Sequence, residues 1–151
     1  MDCQIRPAVQ ADAEAISGVI VSALHASNAQ DYPPSVIERV QHSFSPAAVR
    51  ALIMRRRVFV AVCGGVMVGT ASLDGRAVRS VFVDPAWHRQ GVGRRLMDEV
   101  ERAAVEAGVS VLVVPSSLTA QGFYAALGFT MVREQLEGEE RTLIMERVLK
   151  P

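Results

Sequence analysis

The segment from Val81 to Leu96 constrains the fold of this chain more than any other part of its sequence. It begins as an apolar strand, turns at Asp84-Pro85, and continues into a helix whose start contains Gly91-Val92-Gly93. Glycine lets the main chain approach a ligand closely, and the free N–H groups at a helix start attract anions together with the helix dipole. The segment therefore predicts a strand-turn-helix unit of an α/β protein with a site for a phosphate group.

The glycine run matches neither of the two common phosphate-binding fingerprints. No Lys-Ser or Lys-Thr pair follows it, as a P-loop requires, and the G-x-G-x-x-G pattern of dinucleotide-binding folds ends here as Gly91-Val92-Gly93-Arg94-Arg95-Leu96. We therefore expect another phosphate carrier. An adenine nucleotide bound in another way is the least favoured alternative, because the segment lacks the P-loop lysine.

A second informative segment lies between Ser116 and Phe129. Ser116 and Ser117 are suited to cap a helix, Tyr124 lies in a short helical run, and Gly128 is placed to end that run. Together and in this order, the two segments resemble the GCN5-related N-acetyltransferase family, and the resemblance covers nearly the whole chain. It implies one domain over residues 1–151 with an α/β fold, in which helices flank a mixed central sheet.

The composition is that of a globular protein, since 50% hydrophobic and 21% charged residues argue against disorder. Sixteen Lys and Arg residues balance sixteen Asp and Glu residues, so the total charge indicates neither nucleic acid nor a membrane as the main partner. The sequence has no signal-peptide pattern and no long apolar run, and we expect a cytoplasmic protein. Cys3 and Cys63 lack metal-ligand or redox spacing and are predicted to be buried free thiols.

Hydrophobic periodicity predicts the element order β-α-α-α-β-β-β-α-β-α-β-β. Asp12 is expected to cap a first helix that ends near His25, and the acidic segment 134–140 is expected to be a solvated hairpin turn. The other strands and helices are predicted at 3–6, 36–42, 46–54, 58–62, 66–73, 76–83, 91–107, 110–114, 118–127, 129–133 and 142–149.

The resemblance implies that the phosphate carrier is acetyl-CoA, and it implies no metal. The strand before the loop would contact the pantetheine arm through Val81, Phe82 and Val83. The pyrophosphate would be held by the loop and helix start, namely His88, Arg89, Gln90, Gly91, Val92, Gly93 and Arg94. His88 departs from the Gln or Arg at the start of the family's loop pattern, but main-chain N–H groups make most of the contacts there.

Tyr124 corresponds to the family tyrosine that protonates the departing thiolate as a general acid. Its alternative interpretation is a packed core aromatic, like Phe123 and Phe129 beside it. Ser117 stands where many relatives have an asparagine that contacts the pantetheine, and it is equally suited to be an N-cap. A main-chain N–H near Val83 is expected to stabilise the oxyanion, because relatives separate two parallel strands there.

The acceptor implied by the resemblance is a primary amine of a small molecule or peptide, acetylated directly within a ternary complex. Asp31 and Tyr32 are candidate residues for a cationic amine, one by its charge and the other by its ring face. Relatives often form dimers through sheet edges or C-terminal strands, so a homodimer is one expected assembly.

The general base is not identified by the sequence. The strand 76–83 contains no carboxylate, which leaves a water chain, an amine that arrives deprotonated, or one of the groups Asp74, Glu38, His25 and His42. The missing carboxylate also favours the alternative of a non-catalytic acyl-CoA-binding sensor or assembly module.

Overall fold

The computed structural model describes residues 2–149, which contain seven strands and five α-helices. The strands are β1 Cys3–Pro7, β2 Arg57–Cys63, β3 Val66–Asp74, β4 Ala77–Val83, β5 Val111–Ser117, β6 Thr130–Glu137 and β7 Glu140–Val148. The helices are α1 Ala13–Ala26, α2 Pro34–His42, α3 Pro46–Arg55, α4 Val92–Glu106 and α5 Gln121–Ala126. The predicted order of elements is confirmed, and α5 is shorter than predicted because residues 118–120 form a turn ahead of it.

The seven strands form one sheet in the order β1-β2-β3-β4-β5-β7-β6, in which only β4 and β5 are parallel neighbours. Successive residues of a strand point to opposite faces. In β2, Val60 packs with Ile16 of α1, whereas Phe59 and Ala61 pack in the cluster that contains Leu96 of α4. Helices α1–α3 therefore cover one face, and α4 and α5 cover the other. The predicted mixed α/β fold is confirmed.

The strands β4 and β5 separate soon after they begin. The one register pair between them in residues 2–149 is Ala77 with Val113, and the Val113 N–H donates to the Arg76 carbonyl at 3.0 Å. In a parallel ladder the next N–H that β5 directs toward β4 belongs to residue 115. That residue is Pro115, which has no N–H to donate. The ladder therefore stops, and a gap opens between the two strands.

Cys3 and Cys63 are opposite each other in the register of β1 and β2 and form a disulfide. The prediction of two buried free thiols was therefore wrong. The two residues are 60 positions apart, and nothing in their local sequence indicates that β1 pairs with the far end of β2. The pairing of the strands alone brings the sulfurs together.

Two local predictions also need correction. Asp12 precedes α1 but does not cap it, because its carboxylate accepts hydrogen bonds from the Arg6 guanidinium at 2.8 Å and from the Val9 N–H at 2.8 Å. The segment 134–140 is not a long turn, since β6 extends to Glu137 and β7 begins at Glu140. Only residues 138–139 form the turn. Glu134 lies on an exposed strand position, where Arg141 pairs with it at 2.6 Å. None of the helices between residues 2 and 149 is both long and apolar enough to cross a membrane.

Candidate active site

The gap between β4 and β5 opens into a cavity of about 610 Å³. The cavity passes through the sheet, because its lining includes Ala23 of α1 on one face and Phe123 of α5 on the other. Most of the predicted site residues line it, namely Val81, Phe82, Val83, His88, Arg89, Gly91, Val92, Gly93, Arg94, Ser117 and Tyr124. Gln90, Asp31 and Tyr32 are not part of its lining.

The turn before α4 presents main-chain N–H groups to this cavity. Arg89 and Gly91 have left-handed backbone conformations, with φ of 64° and 80°, so the chain curls back immediately before the helix. The first N–H that donates within α4 is that of Arg95, to the Gly91 carbonyl at 3.1 Å. The N–H groups of residues 92–94 therefore have no acceptor inside the helix. A turn of this kind is a concave site for an anion.

The charges around this turn favour an anion as well. The first turn of α4 contains no acidic residue, and it carries Arg94 and Arg95. Cations at a helix start are repelled by the positive end of the dipole. An anion bound there is stabilised by the arginine charges and by the helix dipole. Arg95 donates to the Cys3 carbonyl at 2.9 Å and is thereby held against β1. Arg94 lines the cavity and is the arginine of this pair that faces a ligand.

Gly93 allows α4 to approach α5 closely. A Cβ atom at this position would lie 3.1 Å from two atoms of the Phe123 ring, which is closer than side chains normally approach. Phe123 also lines the cavity. The glycine is therefore needed both for the packing of the two helices and for the shape of the cavity wall.

The main chain at the end of β4 faces the gap. The Asp84 N–H donates to the Val68 carbonyl of β3 at 2.7 Å, so the neighbouring N–H and C=O groups of Val83 point away from β3, toward β5. The His88 Nε2 atom lies 3.0 Å from the Val83 carbonyl oxygen. Because a carbonyl oxygen only accepts, Nε2 carries the hydrogen in this contact. A ligand in the gap thus meets hydrogen-bonding groups of the β4 main chain, with the His88 ring beside them.

Tyr124 has a packed ring and a hydroxyl that is free to interact in the cavity. The ring makes edge-to-face contacts with Phe123 and Phe129, at centroid distances of 5.2 and 5.6 Å, and the residue is 4% exposed. Its hydroxyl has no hydrogen-bond partner in residues 2–149. Every fully covered side-chain oxygen in that range has a partner, so the Tyr124 hydroxyl oxygen is not fully covered. Because Tyr124 lines the cavity, the hydroxyl opens onto it. Burial raises the pKa of this phenol above its ordinary value of 10, so it is protonated at neutral pH.

Ser117 lies at the end of β5, between the cavity and α5. Its Oγ atom accepts a hydrogen bond from the Ala120 N–H at 3.2 Å. The hydroxyl hydrogen is not used in that bond, and the residue lines the cavity. This bond closes the turn 118–120 and not α5 itself, whose N-cap position is Ala120 and has no side-chain cap, so the helix-cap interpretation is corrected. A ligand contact by Ser117 stays a prediction.

Asp31 and Tyr32 connect the segment after α1 to the turn that follows β5 and to β7. The Tyr32 hydroxyl donates to the Arg141 carbonyl at 2.8 Å and accepts from the Leu118 N–H at 2.8 Å. The Asp31 carboxylate accepts from the Thr119 hydroxyl at 2.6 Å. These bonds bridge three parts of the chain at the α1 side of the cavity. Amine binding by Asp31 and Tyr32 stays a prediction, and in this structure both side chains are engaged with the protein.

The proposed bases from the sequence do not meet at the cavity. Within the described range 2–149 its lining contains no Asp or Glu, and Asp74, Glu38, His25 and His42 lie outside it. His25 is bonded to the Gln41 side chain at 2.7 Å.

Three residues that shape the cavity were missed by the sequence analysis: Pro115, Ser80 and Asn28. Pro115 follows directly on the predicted strand 110–114, and a proline there signals that pairing on one side must stop. Ser80 and Asn28 carry no comparable signal, because a strand serine and a loop asparagine are common in any fold.

Comparison with known proteins agrees with this geometry. Residues 28–145 match the sequence profile of the family described as the acetyltransferase (GNAT) domain. The chain is 26% identical over 132 residues to YafP, an uncharacterized N-acetyltransferase of Escherichia coli (strain K12), and this alignment covers 87% of the chain and 84% of YafP.

Two solved structures have the same fold. A GCN5-related N-acetyltransferase from Rhodopseudomonas palustris aligns with a TM-score of 0.91 at 26% identity, over 99% of this chain and 97% of that one. The PaiA N-acetyltransferase from Thermoplasma acidophilum, in complex with coenzyme A, aligns with a TM-score of 0.85 at 18% identity, over 99% and 100% of the two chains. Since the family profile spans well over half of the sequence, the chain belongs to the GNAT acetyltransferase family.

Proposed function

We propose that the protein transfers an acetyl group from acetyl-CoA to the primary amine of a small molecule or peptide, by direct attack within a ternary complex. The observation that carries this proposal is the hydroxyl of the buried Tyr124, which has no partner within residues 2–149 and is open to the same cavity as the anion-binding turn. Membership of the GNAT family supports the acetyl transfer, and the coenzyme A complex of PaiA supports the choice of donor.

The donor end of the cavity has the groups that acetyl-CoA requires. The N–H groups of residues 92–94 and the Arg94 side chain suit a diphosphate, and no acidic side chain of the first turn opposes it. The gap beside Val81 and Val83 suits an extended arm that carries amide groups, because strand edges bond such groups readily. The thioester supplies an activated acyl carbon, and the protein supplies its position.

Tyr124 is proposed to protonate the sulfur as the carbon–sulfur bond breaks. The raised pKa of its phenol keeps the hydrogen in place at neutral pH, so the group is always in its donating form. A thiolate released in the same apolar surroundings also has a raised pKa, because burial disfavours its charge as well. The pKa values of the phenol and the thiol in the cavity therefore both lie above their ordinary values, so the transfer is not judged from the pKa of the phenol alone.

The main chain of β4 is proposed to stabilise the charge that develops on the carbonyl oxygen. The N–H of Val83 points into the gap, and a fixed N–H in a water-poor site lowers the energy of an oxyanion without reorganisation. No carboxylate of residues 2–149 lines the cavity to remove the amine proton. We therefore propose that the amine enters as the free base or loses its proton to water.

A second candidate function is that of an acyl-CoA-binding sensor without catalysis. The observation that favours it is the absence of any Asp or Glu from the lining of the cavity. This candidate requires the donor end to bind acetyl-CoA while the acceptor end transfers nothing.

The deciding experiment incubates the purified protein with acetyl-CoA and panels of small amines, amino acids and peptides, and follows the release of free thiol. Acetyl-CoA binding is measured separately by calorimetry. We expect thiol release that depends on an amine, with the acetylated amine identified by mass spectrometry. Tight acetyl-CoA binding without release for any amine would favour the sensor, and absence of binding would contradict both candidates.

A further inference from the structure

Behind the acceptor side of the cavity lies an arginine whose charge is only partly balanced; it lines a small neighbouring void and not the cavity itself. Arg56 lies between α3 and β2, and its side chain is 18% exposed. Its Nε atom is 3.8 Å from an Asp74 carboxylate oxygen, and the Nε atom of Arg79 is also 3.8 Å from that same oxygen. Two guanidinium groups thus share one carboxylate. The arrangement leaves a net positive charge beside the strand β4.

Arg56 reaches the cavity through Ser80. Its Nη1 atom donates to the Ser80 hydroxyl at 3.2 Å, and Ser80 is part of the cavity lining. The serine oxygen is the acceptor in this bond, so its own hydrogen is free to be donated to another group. No residue between 2 and 149 takes up that hydrogen. The pair therefore forms a charge-assisted donor that ends in the cavity.

The backbone at Ser80 is held in an unusual conformation. Ser80 has a φ of 54°, and the only other non-glycine residue with positive φ in residues 2–149 is Arg89 of the anion-binding turn. The pairing of β3 with β4 shifts register at this point, between Thr70 and Ser72, which is the signature of a bulge. A left-handed serine is strained, and such strain is found where a side chain must be aimed at a site.

Ser80 and Asn28 belong to the acceptor face of the sheet. Ser80 also borders a small void beside Ile16 and Phe44, which lie on the α1 side. Asn28 follows α1, lines the cavity and is 9% exposed, and its side-chain amide makes no hydrogen bond within residues 2–149. The acceptor face therefore offers hydrogen-bond donors from two separate segments.

The cavity offers no compensating negative charge. Within residues 2–149 its lining contains neither Asp nor Glu, and its basic side chains, His88, Arg89 and Arg94, are on the donor side. An ammonium group would be left without a partner at the acceptor face, which is costly in a partly buried site. An oxyanion would meet the Ser80 hydroxyl, the field of Arg56 and the Asn28 amide.

We propose that Ser80, positioned by Arg56, binds a carboxylate or phosphate group of the acceptor, so that the enzyme selects amines that carry an oxyanion close to the nitrogen. This inference rests on the proposed function. Ser80 makes the contact, and Arg56 is a positioning residue that holds the serine oxygen and supplies the positive field. The same field opposes protonation of the amine, which favours the reactive free base.

The test compares matched pairs of amines in the thiol-release assay with acetyl-CoA. Leucine is compared with isoamylamine, phenylalanine with phenethylamine, and O-phosphoethanolamine with ethanolamine. We expect the oxyanion member of at least one pair to have a kcat/KM, calculated on the concentration of free-base amine, that is about tenfold higher or more, as one charge-assisted hydrogen bond supplies. The amino acid and phosphate pairs show which oxyanion is preferred. Equal or better use of the amines without an oxyanion would overturn the proposal.

Variants assign that preference to the two residues. Ser80→Gly tolerates the left-handed backbone and removes the hydroxyl, and Arg56→Gln removes the charge. We expect both to raise KM for the oxyanion amine about fivefold or more, as loss of one charge-assisted bond implies, with kcat and the KM for acetyl-CoA nearly unchanged. Arg56→Lys should restore part of the preference, and Arg55→Gln, which changes the exposed neighbouring arginine, should leave it intact. An equal loss with both members of a pair, or a loss in kcat alone, would contradict the assignment.

A binding measurement separates this inference from the proposed function. Leucine and O-phosphoethanolamine are titrated by calorimetry into the protein saturated with CoA, and thermal melting checks that each variant is folded. Binding that is lost in Ser80→Gly while no amine is ever acetylated would leave the oxyanion site standing and remove the enzyme. Acetylation with no preference among the pairs would leave the enzyme standing and remove the oxyanion site. Absence of both binding and transfer would overturn both.

Discussion

The two ends of the cavity are built in different ways. The donor end consists of consecutive residues, 88–94, and presents main-chain N–H groups at the start of α4. The acceptor end consists of side chains from distant segments, among them Asn28, Ser80 and Ser117. Main-chain groups bind a constant feature such as a diphosphate whatever the side chains are, whereas side chains are free to change with the acceptor. The proposed donor end thus depends on the path of the main chain, and the proposed acceptor end depends on the identity of individual side chains.

The largest effect on acetyl-CoA affinity expected from a single change is at the donor end. Gly93→Val adds a branched side chain at a position where even a Cβ atom would lie 3.1 Å from the Phe123 ring, so the ring or the helix start must move. Overpacking of this kind costs about 1–3 kcal/mol of folding stability. If the helix start moves to relieve the contact and the same free energy is lost from binding, acetyl-CoA affinity falls by about ten- to a hundredfold. Calorimetry measures it. Gly18→Val is the matched control, because that helical glycine has nothing within 4 Å of its Cβ direction. Equal acetyl-CoA affinities of the two variants would show that Gly93 is not needed for acetyl-CoA binding.

A smaller effect is expected at the acceptor end, where the Tyr32 hydroxyl joins two chain segments. Tyr32→Phe leaves the Arg141 carbonyl and the Leu118 N–H without their 2.8 Å partners. We expect the free energy of unfolding in urea to fall by about 1 kcal/mol and the KM for the amine to change, while acetyl-CoA affinity stays the same. Thr130→Val removes an exposed 3.5 Å bond and should change neither quantity. A loss of acetyl-CoA affinity in Tyr32→Phe would show that the two ends are not independent.

Ser117 lies between the two ends, and its two roles are separable. Ser117→Ala removes the hydrogen bond to the Ala120 N–H, and Ser45→Ala removes one of equal length, 3.2 Å, to the Ala48 N–H far from the cavity. Both are expected to lower stability by about 1 kcal/mol. If Ser117 also contacts the pantetheine, only its variant weakens acetyl-CoA binding, by about threefold, as one neutral hydrogen bond implies. Unchanged acetyl-CoA binding would show that Ser117 serves only to accept the Ala120 N–H.

The smallest expected effect is a dependence of stability on alkaline pH. Burial raises the pKa of Tyr124 in the folded protein above the value of 10 that it has when exposed, and burial also raises the pKa of Tyr32. Below pH about 10 this contribution to stability is fully present, and it is lost as the pH rises further, because the unfolded chain then releases protons that the folded chain keeps. The slope is at most about 1.4 kcal/mol per pH unit for each group. Urea unfolding between pH 9 and pH 11 should show a shallower decline for Tyr124→Phe than for the wild type. Parallel declines would mean that the phenol is not buried.

The fold, including the strand, turn and helix start of residues 81–96, was largely readable from the sequence because its signals are local. The strand, turn and helix of residues 81–96 follow from periodicity and from glycines at a helix start. The element order follows from the same rules, and only the ends of the elements shifted, as when β6 extended to Glu137. Proline offers the same kind of local signal, since Pro115 follows directly on the predicted strand and marks where pairing with β4 must end.

The disulfide and the acceptor end were not readable because they depend on which distant segments become neighbours. Cys3 and Cys63 meet only through the pairing of β1 with β2. Ser80 acquires its role from a bulge that is defined by the register of another strand, and Arg56 reaches it from the end of a different helix. Such contacts are fixed by packing after the elements have formed, so no single window of sequence contains them.

The central claim is that the cavity holds the donor beside one buried phenol that gives its proton to the sulfur. The most direct test measures kcat at saturating acetyl-CoA, with the best amine of the panel, for the wild type and Tyr124→Phe, alongside the acetyl-CoA dissociation constant of each. The account predicts a fall in kcat of about a hundredfold or more, as loss of a general acid implies, with an unchanged dissociation constant. A kcat within twofold of the wild type, or a loss of binding equal to the loss of rate, would contradict it.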